Sequence, residues 1–190
     1  MDKVIKNNIN FGKFKKVIQA LSKDFSVTVG IHQEDNEDKG DNIDIAGIGA
    51  VQEFGCEINV TDKMRKYLAH TGLHLNPNTK VVKIPARSFL QTPLEQHSKE
   101  LIKNIKNHFG GTQDDIEFYM QEKGDLMSVA VIIGAEAVDL VNEAFETSGF
   151  GEWKPLHEYT IDHRTNESNM PLLDTGDLRS RINFKVEQNG

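Results

Sequence analysis

Hydrophobic positions recur along this chain with two different periods, and the switches between them predict its elements. Phe11, Phe14, Val17, Ile18 and Leu21 fall on one face of a helix over 11–24, with Lys13, Lys15, Lys16 and Lys23 on its solvated side. Alternation then takes over: Val27, Val29 and Ile31 predict a strand from Phe25 to Ile31. His32 to Asn42 is almost wholly polar and reads as a solvated loop. Helical spacing returns from Ile43 to Phe54, carried by Ile45, Ile48, Val51 and Phe54. Asn42 or Asp44 is its candidate N-cap, and Gly55 can end it with positive φ. Cys56 to Val60 reads as a short strand. Thr61 then caps a helix to Ala69, with Met64, Tyr67 and Leu68 facing inward and Gly72 ending it.

The second half follows the same logic. Asn76-Pro77-Asn78 breaks the loop before a strand at Val81 to Ile84, which Pro85 stops. In Pro85-Ala86-Arg87-Ser88-Phe89-Leu90 a bend should drop Phe89 and Leu90 into the core and leave Arg87 near the surface or on an acidic partner. Thr92 is expected to cap a helix with Pro93 at its first position and Leu94, Leu101, Ile102, Ile105 and Phe109 as its apolar face, until Gly110-Gly111. A short charged helix is expected over 112–122. Asp125 opens the most apolar helix, from Leu126 to about Thr147, whose broad stripe includes Val129, Ala130, Ile133, Ala137, Leu140, Val141, Ala144 and Phe145. This should be the most buried helix. From Gly149 onward the chain reads as an extended arm: Trp153, a turn-rich span, Leu172 to Arg179, and the alternating Ile182, Phe184 and Val186.

The fold class expected is α+β, with a small mixed or antiparallel sheet, four or more helices and an extended C-terminal arm. Residues 1–150 would form the core domain, and 151–190 an arm whose terminal strand completes the sheet. Asp162 to Asn169 hold no large hydrophobe to offset an ordering cost of ~1–2 kcal/mol per residue, so a mobile loop between two anchored ends is expected there.

Composition narrows the partners. The 190 residues carry a formal charge of −7, which argues against a phosphate-binding surface, though an acidic wall that DNA slides past is compatible with it. The apolar share is 37 %, below the ~45–50 % usual for soluble domains, so part of the chain is expected to order against a partner. One cysteine, Cys56, allows no internal disulfide and suits a reducing cytoplasm. Neither a membrane span nor the apolar core of a signal peptide is present in the sequence.

Candidate chemistry is sparse. Leu172-Leu173-Asp174-Thr175-Gly176 reproduces the aspartic-protease signature, but only fourteen residues follow Gly176, too few for the remaining barrel of that enzyme class. A turn is expected instead, in which Asp174 and Thr175 accept backbone N–H bonds and Gly176 supplies an unusual φ. The acids of the polar loop do not follow the calcium-loop order, and Gly47 and Gly49 make only half of a dinucleotide fingerprint, so close helix packing accounts better for those glycines. His70 and His74 have metal-ligand spacing without a third ligand, and Cys56 lies beside Glu57 with nothing nearby to activate a thiol. No catalytic, cofactor or metal residues are assigned. Trp153 reads equally as a core anchor or an interface anchor.

Four stretches also carry a family likeness. Glu53-Phe54-Gly55 with Val60 to Ala69, Ile84-Pro85-Ala86-Arg87-Ser88-Phe89-Leu90, Trp153-Lys154-Pro155-Leu156, and Leu173 to Ile182 occur in one order over roughly two-thirds of the chain. In this the chain resembles the tail-completion (neck, virion morphogenesis) proteins of tailed bacteriophages. It departs at Ser88, where many relatives have proline, which should leave that turn less rigid. The resemblance implies a virion structural protein, not an enzyme, made in the bacterial host cytoplasm and placed at the head–tail junction. It also implies a self-associated ring, typically sixfold, that contacts head-connector or adaptor proteins and the tail tube or tail terminator, with DNA passing through the lumen without specific binding. A tail terminator or head-completion adaptor of the same region is the nearest alternative. A phage-encoded hydrolase is the competing class, and it would need a convergent polar cluster that the sequence does not show. Arg87, Phe89, Trp153, Leu156, Asp174, Leu178 and Arg179 are the interface residues expected.

Overall fold

The computed structural model describes residues 25–36, 44–109, 126–166 and 168–189. The expected helices over 11–24 and 112–122, the rest of the polar loop, and the glycine stop at 110–111 lie outside them. Among the described residues the chain is α+β, as its periodicities predict. Strand β1 is Phe25–Gly30 and β2 is Cys56–Asn59; β3 is Val81–Ile84 and β4 is Asn183–Gln188. The helices are α1 (Ile45–Phe54), α2 (Asp62–His70), α3 (Gln91–Gln96), α4 (Ser98–His108), α5 (Leu126–Glu146), α6 (Glu158–Asp162) and α7 (Asp177–Ser180). Instead of the single sheet expected, the described residues hold two two-stranded sheets, β1 with β4 and β2 with β3. The β2–β3 pair is antiparallel, with Cys56 opposite Ile84 and Glu57 opposite Lys83. That last pair forms an exposed ion pair at 2.5 Å.

Local signals set most boundaries. Asp44 caps α1: its Oδ1 accepts from Gly47 N at 2.6 Å, while Asn36 donates to Oδ2 at 2.8 Å. The Asn36 bond, and then the Gly47 bond, hold the Asp44 carboxyl below the usual carboxylate range. Gly55 ends the helix at φ +69°, where an added Cβ would meet Ala86 N and Ile84 O at 2.7 Å. Thr61 Oγ1 caps α2 through Met64 N at 3.1 Å, and Gly72, at φ +99°, lets Leu73 N return to Leu68 O at 2.7 Å.

Other expectations fail where tertiary contacts decide. Tyr67, expected inward, is 64 % exposed, and Phe54, one of the apolar positions that mark α1, is 71 % exposed. The helix expected from Thr92 to Phe109 is two helices, α3 and α4, broken at His97. Thr92 is not its cap; α3 starts at Gln91, two residues earlier than expected, because Glu53 and Ser88 bind its first N–H groups.

The described residues pack as two compact units. One holds 25–28, 100–109, 126–136 and 184–189, and the other 29–36, 44–99, 137–166 and 168–183. This partition is not the 1–150 and 151–190 division expected from sequence. In the first unit Ile105, Phe109 and Val129 form the core, with Phe25, Leu101 and Leu126 against it. Gly134 sits so close to Phe184 that a Cβ there would enter the ring. His108 Nε2 meets Glu136 Oε1 at 2.5 Å. In the second unit Ile45, Phe89, Val141, Ala144 and Phe145 pack with Trp153, Leu178 and Ile182. Three residues of the expected arm thus belong to this core, because their apolar side chains gain more from burial than from reaching outward.

The span expected to be a mobile loop is also tied down. Its first residue ends α6, and Arg164 donates to Ser168 O and Met170 O. Thr165 donates its N–H and hydroxyl to Asp174 Oδ1 at 3.0 and 2.7 Å, and the Asn166 amide donates to the carbonyls of Leu173 and Asp174. Polar side chains closing on nearby backbone supply the order that apolar burial does not.

Candidate functional site

The site begins with Glu53, an acid on the face of α1 that also buries Ile45 and Gly49, and only 7 % exposed. Its carboxylate accepts from Ser88 Oγ at 2.6 Å, Phe89 N at 2.7 Å, and Leu90 N and Gln91 N at 3.0 Å each. Four donors converge on one buried anion, which satisfies its desolvation without a cation. Three of those donors are the backbone N–H groups leading into α3. Ser88 Oγ in turn accepts from Thr92 N at 2.9 Å. Ser88 was expected to leave this turn less rigid; its hydroxyl instead ties the turn to both α1 and α3.

Arg87 is the second component. Sequence placed it near the surface or on an acidic partner; instead it is 7 % exposed, with Nε donating to Lys154 O at 3.1 Å and Nη2 to Pro155 O at 3.4 Å. Burial, and then the charge of Arg164, hold its pKa below the ordinary guanidinium value. Its own N–H donates to Gln52 O at 2.7 Å. Side chain and backbone together therefore join the end of α1 to the stretch after Trp153.

Trp153 closes the arrangement. Its ring stands edge-on to Phe145, at 5.8 Å between centroids and 88°, and Nε1 donates to Ser88 O at 3.2 Å. Phe89 meets the same Phe145 at 5.3 Å. Reaching this position requires an unusual backbone: Ser148, Gly149, Phe150 and Gly151 all have positive φ, between +52° and +85°. Left-handed geometry costs non-glycine residues roughly 1–2 kcal/mol each. It is held here by burial of Trp153 and by Phe150, which stacks on His97 at 3.6 Å. At Gly149 no other residue fits, since a Cβ would overlap the indole.

The remaining expected residues divide. Leu178 is buried, and its Cδ1 would lie 3.3 Å from a Cβ on Gly49, so close packing does explain that glycine. Leu156 is half-buried. Asp174 is the turn residue expected; hydrogen bonds from Thr165, its side chain first, hold the carboxyl below the usual range. Thr175 Oγ1 accepts from Asp177 N at 3.3 Å, and Gly176 has φ +83°. Arg179 Nε donates to Asn142 Oδ1 at 2.9 Å, and the guanidinium also engages Glu146. As an interface list the expectation needs correction: Arg87, Phe89, Trp153 and Leu178 are buried within the chain itself. Trp153 is a core anchor, with its polar edge satisfied internally.

Sequence reasoning missed Glu53 as a site residue, although an acid two residues before a helix-ending glycine, in line with Ile45 and Gly49 at i−8 and i−4, was the signal. It also missed Phe54. That ring stands exposed at the rim of an apolar pocket of about 370 Å³, lined chiefly by Ile31, Ala46, Ala50, Leu90 and Leu94. The site as a whole is an interlock of self-satisfied polar groups beside an apolar opening. Among the described residues no group of histidine, cysteine and acidic side chains could hold a metal ion, and no helix is long and apolar enough to cross a membrane. Compared with family models, with curated proteins and with solved structures, the chain matches none.

Proposed function

We propose that this chain is a structural protein of the head–tail junction of a tailed bacteriophage, a non-enzymatic ring component that completes the tail and joins it to the head connector. One observation supports this reading above others. The stretches that carry the resemblance lie far apart in sequence, yet hydrogen bonds and packing join them. Glu53 binds the 88–91 turn, Arg87 binds the carbonyls after Trp153, and Trp153 binds Ser88. Residue patterns that resemble a family's hallmarks thus have a shared physical reason: each holds the next in place. On this reading the interlock is a rigid frame, and docking belongs to the surface around it, where Phe54 is exposed. The ring would be of the sixfold kind the resemblance implies, with DNA crossing its lumen unbound.

Reconstruction of particles carrying a tagged copy tests this. Several copies encircling the neck are expected, and loss of the gene should leave filled heads and separate tails. One copy per particle, or none, overturns the reading.

A further inference from the structure

The chain is acidic overall, with 29 acids against 22 lysines and arginines, but its charges are not evenly mixed. Between residues 61 and 84 five of the six formally charged side chains are basic: Lys63, Arg65, Lys66, Lys80 and Lys83, against Asp62. Lys63, Lys66, Tyr67 and His70 stand at i, i+3, i+4 and i+7 of α2 and all are exposed, so they form one face. Arg65 is committed elsewhere: its guanidinium donates to the carbonyls of Leu75, Asn76 and Thr79, fixing α2 to the following loop. Neither Lys63 nor Lys66 pairs with an acid among the described residues. Tyr67 at the centre is of the residue type enriched at interface centres.

The opposite pattern lies on α5. Its 21 residues include four acids and no lysine or arginine. Asp139, Glu143 and Glu146 stand at i, i+4 and i+7 on an exposed stripe, a like-charge spacing that weakens an isolated helix. Glu146 is engaged by Arg179, whereas Asp139 and Glu143 have no partner among the described residues. Each stripe runs over eight residues, seven steps of 1.5 Å or about 10 Å, so the two match in length as well as in charge.

We propose that the basic face of α2 on one copy of the chain docks onto the acidic stripe of α5 on a second copy, Lys63 and Lys66 facing Asp139 and Glu143 with Tyr67 packed between the helices. Two different faces make such a contact head-to-tail, the type that closes into rings. The inference rests on the ring reading above for closure, but it concerns a pairwise contact measurable in solution.

The test is a charge swap followed by sedimentation at low and high salt. The wild-type chain should self-associate, less so as salt screens the contact. K63E/K66E and D139K/E143K should each weaken association by about tenfold or more while leaving thermal unfolding unchanged at dilutions where no chain associates. Mixing the two variants, or combining all four changes in one chain, should restore it, which loss of folding could not do. If the swapped chains associate as the wild type does, or the mixture fails to recover, this contact is wrong while a particle reconstruction can still show a ring. A wild-type chain that stays monomeric at every concentration also overturns it. So does a K63E/K66E chain that keeps self-association but loses retention of duplex DNA, which would assign the face to phosphates.

Discussion

Glu53 does more for this structure than its charge suggests, because its two oxygens take four donors and leave none over. Glu53→Gln keeps size and shape but presents an N–H₂ to two of those donors in either orientation. We expect a loss of about 2–4 kcal/mol, read from the urea midpoint at constant m-value. A loss under ~0.5 kcal/mol would show that the turn holds without it. A second residue-scale effect is pH. The folded carboxyls of Asp44 and Asp174 titrate below their unfolded value of ~3.9, so their stabilisation is present above that value and lost as pH falls through the folded values. The urea midpoint should hold steady from neutral pH to about 5 and fall below about 4, with a shallower fall in Asp174→Asn. An acid limb of equal steepness in the variant excludes Asp174 as a contributor.

At the scale of elements, what was legible in the sequence was what local chemistry decides. Asp44 and Thr61 as caps, Gly55 and Gly72 as stops, and Pro85 after β3 follow from backbone groups needing partners within a few residues. The buried face of α5 follows from period alone. The inward Glu53 and outward Phe54 did not, because the turn that satisfies one and the pocket that borders the other come from residues 31 and 88–94. The same holds for Arg87, whose partners are 67 and 68 positions away. Nor could the pattern choose between one sheet and two, since a strand's period says which face it buries and nothing of its neighbour. One element contact offers a direct check. Gly134→Ala should stabilise an isolated helix by about 1 kcal/mol, yet against Phe184 it should cost about 1–3 kcal/mol. Phe184→Leu in the same chain should recover part of that loss, a non-additivity that two independent sites would not show.

For the whole molecule, the last stretch is structural rather than an appendage. Removing residues from Gly176 onward deletes Leu178 and Ile182 from one core and β4, the partner of β1, from its sheet. We expect the shortened chain to lose cooperative thermal unfolding; a sharp transition near the wild-type midpoint would show that the cores close without it. The interlock of Glu53, Arg87 and Trp153 has a further consequence in time. Its parts are synthesised in the order 53, 87, 153, and the core beneath them is incomplete until residue 182 has been made. Contacts so distant in sequence close slowly, and surface awaiting them is prone to aggregate. Each nascent chain therefore carries Phe89 unburied while residues 90–182 are made, and Phe145 while residues 146–182 are made, so the rate at which ribosomes traverse the last stretch sets how long a cell must shield them.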